Sequence, residues 1–267
     1  MPVFVISVRP AETLAAHLHA LLGEAPAIVG VDGKQMAATQ YFAHNLEALR
    51  HRRRPLAPGE TGCALAHVEA YRRLAESGAP GALIFEDDVI LSPALARLDT
   101  RAFAGRFDVV LLGCMQGLPG RMRVRGKRAG ETHAGLPPLY AVPRRYSRYL
   151  LRSAAYWISR AAAARLRERQ LACLRKADDW RDWARQLDLR MGFMDLCAHP
   201  LDLSGSLLED ERQALSRRRS PPRQKQWRLR FVGDWLVERW HGLEPCGIAT
   251  GDKPAMSAAP SHRATVW

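Results

Sequence analysis

Three carboxylates in a row, Glu86-Asp87-Asp88, follow the apolar run Ala82-Leu83-Ile84-Phe85. Adjacent acids at the exit of a buried strand repel one another, and a fold tolerates them where a cation or polar ligand sits among them. Strand side chains alternate faces, so a continued strand predicts Glu86 and Asp88 on one side and Asp87 on the other. Two acids on one face suit Mg²⁺ or Mn²⁺ held against a diphosphate. The plainer alternative is an acidic loop, with Asp88 or Ser92 starting a helix near Pro93.

The elements that must position these acids follow from periodicity. Residues 3–8 form an apolar strand, and Leu14, Leu18, Leu21 and Leu22 mark a helix over 11–22. A second strand runs Ala27-Ile28-Val29-Gly30-Val31 and closes at the turn Asp32-Gly33. This β-α-β opening predicts an α/β fold, a sheet with helices on its faces. A helix begins at Pro58-Gly59-Glu60, and Gly78 to Gly81 turns the chain into the 82–85 strand. Residues 93–104 are expected to be helical and 107–112 to form a strand. The Gly-, Pro- and Arg-rich stretch 113–152 reads as a long surface loop or hairpin of the kind that covers active sites. A strand at 154–159, helices at 161–173 and 180–188, and a weaker strand at 192–198 follow.

The chain has 267 residues and a net charge of +13, supplied mostly by arginine. Such a charge fits an anionic partner: a nucleotide-sugar phosphate, an anionic membrane surface or a nucleic acid. The N-terminus is expected to be a strand rather than a signal peptide, and no run reaches the length of a spanning helix. Five scattered cysteines without C-x-x-C pairs argue against a zinc site and for a reducing compartment, so the expected location is cytoplasmic. Residues 224–241 set Trp227, Trp235 and Trp240 among arginines. That stretch suits peripheral contact at the inner face of the cytoplasmic membrane, or a C-terminal helix packed on the domain. The expected organisation is a domain over 1–215, a basic helical segment over 216–246 and a disordered tail over 247–267.

An ordered series of segments resembles glycosyltransferase family 25, the bacterial lipooligosaccharide sugar transferases. It comprises the first strand, Val31-Asp32-Gly33, the block Leu56 to His67 with Gly59-Glu60-x-Gly62-Cys63, and Phe85-Glu86-Asp87-Asp88-Val89. Ala155 to Arg160, Ala177-Asp178-Asp179-Trp180, His199-Pro200 and the segment from Ser206 to Arg212 complete it. The family usually has Asn where Ser7 stands and Ser where Ala66 stands.

The resemblance implies a GT-A-like fold with a central, mostly parallel sheet, a UDP-sugar donor and a Mn²⁺ or Mg²⁺ cofactor. Glu86 and Asp88 would hold the metal, and His199 could complete the site or be a surface histidine beside a proline turn. Asp87 would contact the ribose or support the pair. Glu60 and His67, seven residues apart on one helix face, would approach the donor, with a plain helix start as the alternative for Glu60. Asp32 would lie near the nucleotide base or be only a turn. Asp179, or Asp178, would be the base that takes the acceptor's proton beside Trp180, or the cap of the next helix. The implied activity is hexosyl transfer, galactose from UDP-galactose first, to a lipid-linked or oligosaccharide acceptor, by inverting displacement. Two rivals stay open: a basic nucleic-acid-binding protein, disfavoured by the lack of any reading module, and a family member that only binds nucleotide or glycan.

Overall fold

The computed structural model describes residues 1–52, 55–118, 121–130, 135–201 and 237–246. In chain order the elements are β1 (Val3–Ile6), α1 (Glu12–Leu22), β2 (Ala27–Val29), α2 (Ala38–Arg52), α3 (Pro58–Ser77), β3 (Gly81–Glu86) and β4 (Val109–Gly113). Then come β5 (Arg125–Arg128), β6 (Tyr140–Val142), β7 (Ala155–Ser159), α4 (Arg160–Ala172), α5 (Trp180–Gln186), β8 (Met191–Cys197) and β9 (Glu244–Pro245).

The strands form one sheet in the order β2-β1-β3-β7-β4-β8-β6-β5-β9. β1 pairs parallel with β2 and β3, and β4 parallel with β8. β7 runs antiparallel to both β3 and β4. The sheet is therefore parallel at its N-terminal edge and mixed across its width. The chain leaves β4 and re-enters as β7 at the same end, which needs no crossover helix and so gives an antiparallel neighbour.

Strand alternation divides the core in two. Phe4, Ile6, Ile84, Leu111 and Tyr156 pack with Ala66, Ala70 and Leu74 of α3 and with Leu166 of α4. Val5, Leu83, Phe85, Val110 and Trp157 face the other way, against Leu18 of α1 and Leu95 and Phe103. Helices thus cover both faces, and strands buried on both sides read as continuous apolar runs. A fully buried Leu83 or Phe85 contributes about 1.5–3 kcal/mol.

Several elements differ from the sequence expectation. Residues 93–104 hold two short 3₁₀ turns, Pro93–Arg97 and Thr100–Ala102, instead of one helix. Leu98 is extended, and Asp99 starts the second turn by accepting from Arg101 N. The long stretch after β4 adds β5 and β6, which pair antiparallel and widen the sheet. The helix α2 has no counterpart in the periodicity reading. Its buried Asn45 accepts from Leu56 N and donates to Tyr41 O, so polar contacts rather than an apolar stripe hold it.

Of the expected 216–246 segment, the described part is 237–246. It does not stand apart: β9 pairs with β5, and Glu238 faces Arg125. Trp240 is 87% exposed. The rest of that segment, the Ser206 to Arg212 stretch and the 247–267 tail lie outside the described residues. Among the described residues, no helix is long and apolar enough to cross a membrane.

Candidate active site

A cleft of about 310 Å³ opens at the C-terminal ends of β1, β2 and β3, lined by Ser7, Arg9, Asp32, Lys34, Gly59 and Cys63 together with all three acids. Ligands of open α/β sheets bind outside the carboxyl ends of parallel strands, which is where this cleft lies. Its wall depends on a close backbone approach. A Cβ on Gly33 would sit 1.9 Å from Pro58 O, and one on Gly62 would sit 2.2 Å from Val31 O. Only glycine at both positions lets the N-terminal turn of α3 press against the loop after β2.

The three acids go to three separate partners. β3 ends at Glu86, and Val89 N donates to Glu86 O to close a turn that carries Asp87 and Asp88. Alternation therefore stops at Glu86, and Asp88 is re-aimed by the turn instead of lying beside Glu86 on one strand face. Glu86 accepts from Ser153 Oγ and stands 3.6 Å from His67 Nε2. Asp87 accepts from Ser7 Oγ at 2.6 Å and from Arg9 through Nε at 3.2 Å and Nη2 at 3.1 Å. This clamp ties the ends of β1 and β3 together. Asp88 Oδ2 meets His199 Nε2 at 3.1 Å.

His199 is not a surface histidine. It is 8% exposed and reaches Asp88 because Ile90 and Ala198 exchange both backbone hydrogen bonds, fastening the end of β8 to the acidic turn. His199 Nδ1 lies 2.9 Å from Pro200 O, an acceptor, so Nδ1 carries a proton and Nε2 is the nitrogen presented to Asp88. Burial alone would lower the imidazole pKa; the hydrogen bond and charge of Asp88 outweigh it and hold His199 above its ordinary value. Burial alone would raise Asp88; His199, and to a lesser degree Arg152, outweigh that and hold it below the ordinary carboxylate value. Asp88 Oδ1 is buried with no hydrogen-bond partner. A buried carboxylate oxygen left unmatched is costly unless a ligand completes it. Asp88 lines the cleft and His199 stands against it from outside the lining; a carboxylate oxygen with an imidazole nitrogen is a donor set that could hold Mn²⁺ or Mg²⁺.

The remaining candidates divide. Asp32 lines the cleft, exposed, and its Oδ1 accepts from Lys34 N at 2.9 Å. His67 is fully buried beneath the cleft, with Nδ1 2.7 Å from Tyr156 Oη. Glu60 does not line the cleft. It accepts from Ala57 N at 3.2 Å and pairs with Lys176, so it starts α3 and anchors the 174–179 loop. The shared helix face of Glu60 and His67 fails because Glu60 occupies the first turn and curls back on the backbone.

Asp178 and Asp179 precede α5 and do not line the cleft. Asp179 stands 3.5 Å from Arg175 and makes no side-chain cap hydrogen bond to α5. Trp180 is no platform for a sugar. It is fully buried, edge-on to Tyr156, and its Nε1 donates to Arg152 O at 2.8 Å. A large indole at the start of a short helix gains more from the core than from solvent. Arg152 links this turn to the Asp88–His199 pair. Its guanidinium donates to Cys114 O and Gln116 O, and Gln116 Oε1 accepts from His199 N at 3.3 Å.

Sequence reasoning missed Ser7, Arg9, Cys63, Ser153 and Arg152 as parts of the site. Ser7 and Arg9 carried one usable signal, polar residues directly after an apolar strand. Arg152 carried none.

Residues 1–104 match the family model of glycosyltransferase family 25 (LPS biosynthesis protein). The resemblance carried by the sequence motifs is thus the family found, over the part of the chain that supplies every lining residue of the cleft. The matched segment ends before Ser153 and His199, which reach the acids from just before β7 and just after β8. Among solved structures, the chain is similar to a mannose-1-phosphate geranyltransferase from Thermus thermophilus, at 13% identity over 74% of each chain with a TM-score of 0.33. It is also similar to the galactosyltransferase LgtC in complex with donor and acceptor sugar analogs, at 12% identity over 72% of this chain and 73% of that one, with a TM-score of 0.31.

Proposed function

We propose that this protein is a metal-dependent glycosyltransferase that moves a hexose, galactose from UDP-galactose first, onto a hydroxyl of a lipooligosaccharide or related glycan. The observation that carries the proposal is the Asp88–His199 pair, in which Asp88 lines the cleft and keeps a buried, unmatched Oδ1.

Asp88 and His199 would hold Mn²⁺ or Mg²⁺, whose chemistry is to neutralise charge that develops on the departing diphosphate. Arg9 and Lys34 add positive charge to the same cleft. Asp87, fixed by Ser7 and Arg9, presents a pre-aimed carboxylate suited to a ribose hydroxyl. Asp32, exposed at the rim, suits the base.

Transfer also needs a group that takes the acceptor's proton. Asp179 and Asp178 remain the candidates, one and two residues before Trp180 and so linked through Arg152 to the loop that touches His199. Attack on the face opposite the diphosphate gives inversion. An acceptor attached to lipid would bring the basic protein to the inner face of the membrane.

Calorimetric titration with UDP-galactose and UDP-glucose, with and without Mn²⁺, tests the reading together with slow UDP release. Metal-dependent binding of one donor is the expected result. Absence of binding by the folded protein, extended to other nucleotide sugars, would overturn it.

A further inference from the structure

One cluster in the cleft is left over by that reading. Cys63, His67 and Glu86 each offer a ligand atom, and the three atoms lie within 4.8 Å of one another. We infer that these residues form a second cation site, one for a thiophilic divalent ion, zinc first, with an open position facing the cleft.

The ligand set is built by two rigid elements. Cys63 and His67 are four residues apart on α3 and so share a helix face. Glu86 is the last residue of β3, and its two described contacts both fall on Oε1. Cys63 is a reduced thiol lining the cleft.

The histidine supplies the decisive observation. His67 is 0% exposed, and its Nε2 is buried with no hydrogen-bond partner. Its other nitrogen is held by Tyr156 Oη at 2.7 Å, and Tyr156 Oη lies 2.9 Å from Tyr71 Oη. In the tautomer whose Nδ1–H donates into this tyrosine pair, the one a metal on Nε2 requires, the Nε2 lone pair is aimed at Glu86, 3.6 Å away, in a place water does not reach. A lone pair facing a carboxylate there is repulsive until a cation or a proton comes between them. The arrangement repeats the support that metal-bound histidines receive, with the second nitrogen fixed by a hydrogen bond.

Ligand chemistry separates this site from the Asp88–His199 pair. Each set holds an imidazole and a carboxylate; the Cys63 thiolate is what differs, and it prefers zinc to manganese or magnesium, while a carboxylate oxygen beside a diphosphate suits the harder ions. Three protein ligands with a fourth position open is the pattern of reactive rather than purely structural zinc. Zinc–ligand bonds of about 2.0–2.3 Å require the three side chains to close up slightly. Binding would release the Cys63 thiol proton. The absence of C-x-x-C pairs had argued against zinc; a mixed set drawn from a helix turn and a strand end leaves no such signature.

Cobalt replaces zinc and reports thiolate ligation by light absorption. Chelator-treated full-length protein titrated with Co²⁺ alone should show a thiolate-to-cobalt charge-transfer band that saturates at one equivalent, is displaced by Zn²⁺ and survives excess Mn²⁺. Cys63→Ser should remove the band and weaken Zn²⁺ binding at least about tenfold, with the circular dichroism spectrum retained. His199→Ala should leave the band in place. No band in the parent protein, or one that persists in Cys63→Ser, overturns the proposal and leaves a proton between His67 and Glu86. The readout involves no nucleotide, so a band without donor binding would count against the transferase reading alone, and donor binding without a band against this site alone.

Discussion

Asp88 and Asp108 are both aspartates drawn in from solvent at the ends of core strands, yet they are finished differently. Asp108 precedes β4, and its carboxylate is matched on both oxygens. Oδ2 accepts from Arg190 N at 2.8 Å and Arg190 Nε at 3.2 Å, and Oδ1 lies 3.3 Å from Arg165. Asp88 follows β3 and has one oxygen on His199 and one on nothing. Asp108 also accepts from Ser159 N through its backbone carbonyl, so it staples β8, α4 and β7 at one end of the sheet. Burial and charge alone do not distinguish the two; what sets Asp88 apart is an unmatched oxygen on a residue that lines the cleft, since Asp195 Oδ1 is unmatched too but outside the cleft.

The largest expected effect tests that distinction directly. Asp88→Asn should reduce transfer by roughly 10²–10³-fold, the scale of losing one electrostatic contact to a developing charge, while the melting temperature stays close to the parent's. Transfer that survives in this variant would sink the role given to Asp88. Asp108→Ala should do the reverse. Losing its charge-assisted hydrogen bonds should cost about 1.5–3 kcal/mol. At about 2–4 °C per kcal/mol this lowers the melting temperature by roughly 3–12 °C. Donor affinity per folded molecule should not change. Lost donor binding at a temperature where Asp108→Ala is folded would erase the contrast.

Acid titration sharpens it further. Burial alone would raise the Asp108 carboxyl; Arg190, then Arg165, outweigh that and hold it below the ordinary carboxylate value. A depressed folded value means that its stabilisation is complete above the ordinary range, near pH 4, and is lost as pH falls through the folded value. Asp108→Asn should therefore flatten the acid limb of the stability curve. Parallel curves for parent and variant below pH 4 would show that Asp108 is not the group responsible.

The contrast was only partly legible in the amino-acid order. Glu86-Asp87-Asp88 stood out because three acids after a buried run demand an explanation, and the parallel strands beneath them followed from apolar runs. Where each acid points was not legible, because β3 ends at Glu86 and a four-residue turn replaces alternation. His199 was nameable, but its burial depends on the bridge between Ile90 and Ala198, a contact across more than a hundred residues. Trp180 misled for the opposite reason. An aromatic beside two acids suits a sugar, and only the packing of Tyr156 and Arg152 against it shows that the ring belongs to the core.

The smallest effect concerns Asp87, which lies between the two extremes: paired like Asp108, yet facing the cleft like Asp88. Arg9 grips it from an exposed position, and solvent weakens what that ion pair contributes to folding. Arg9→Ala should hardly move the melting temperature. It should weaken donor binding by about 1 kcal/mol, roughly fivefold, because the carboxylate loses its fixed direction and the cleft loses a positive charge. Ser7→Ala removes the shorter contact but no charge, so the two variants separate orientation from electrostatics. If donor binding weakens in both, Asp87 must be held in place to act. If only Arg9→Ala weakens it, and raising the salt concentration erases the difference, charge in the cleft is what Arg9 supplies. If neither does, the clamp is structural and Asp87 belongs with Asp108.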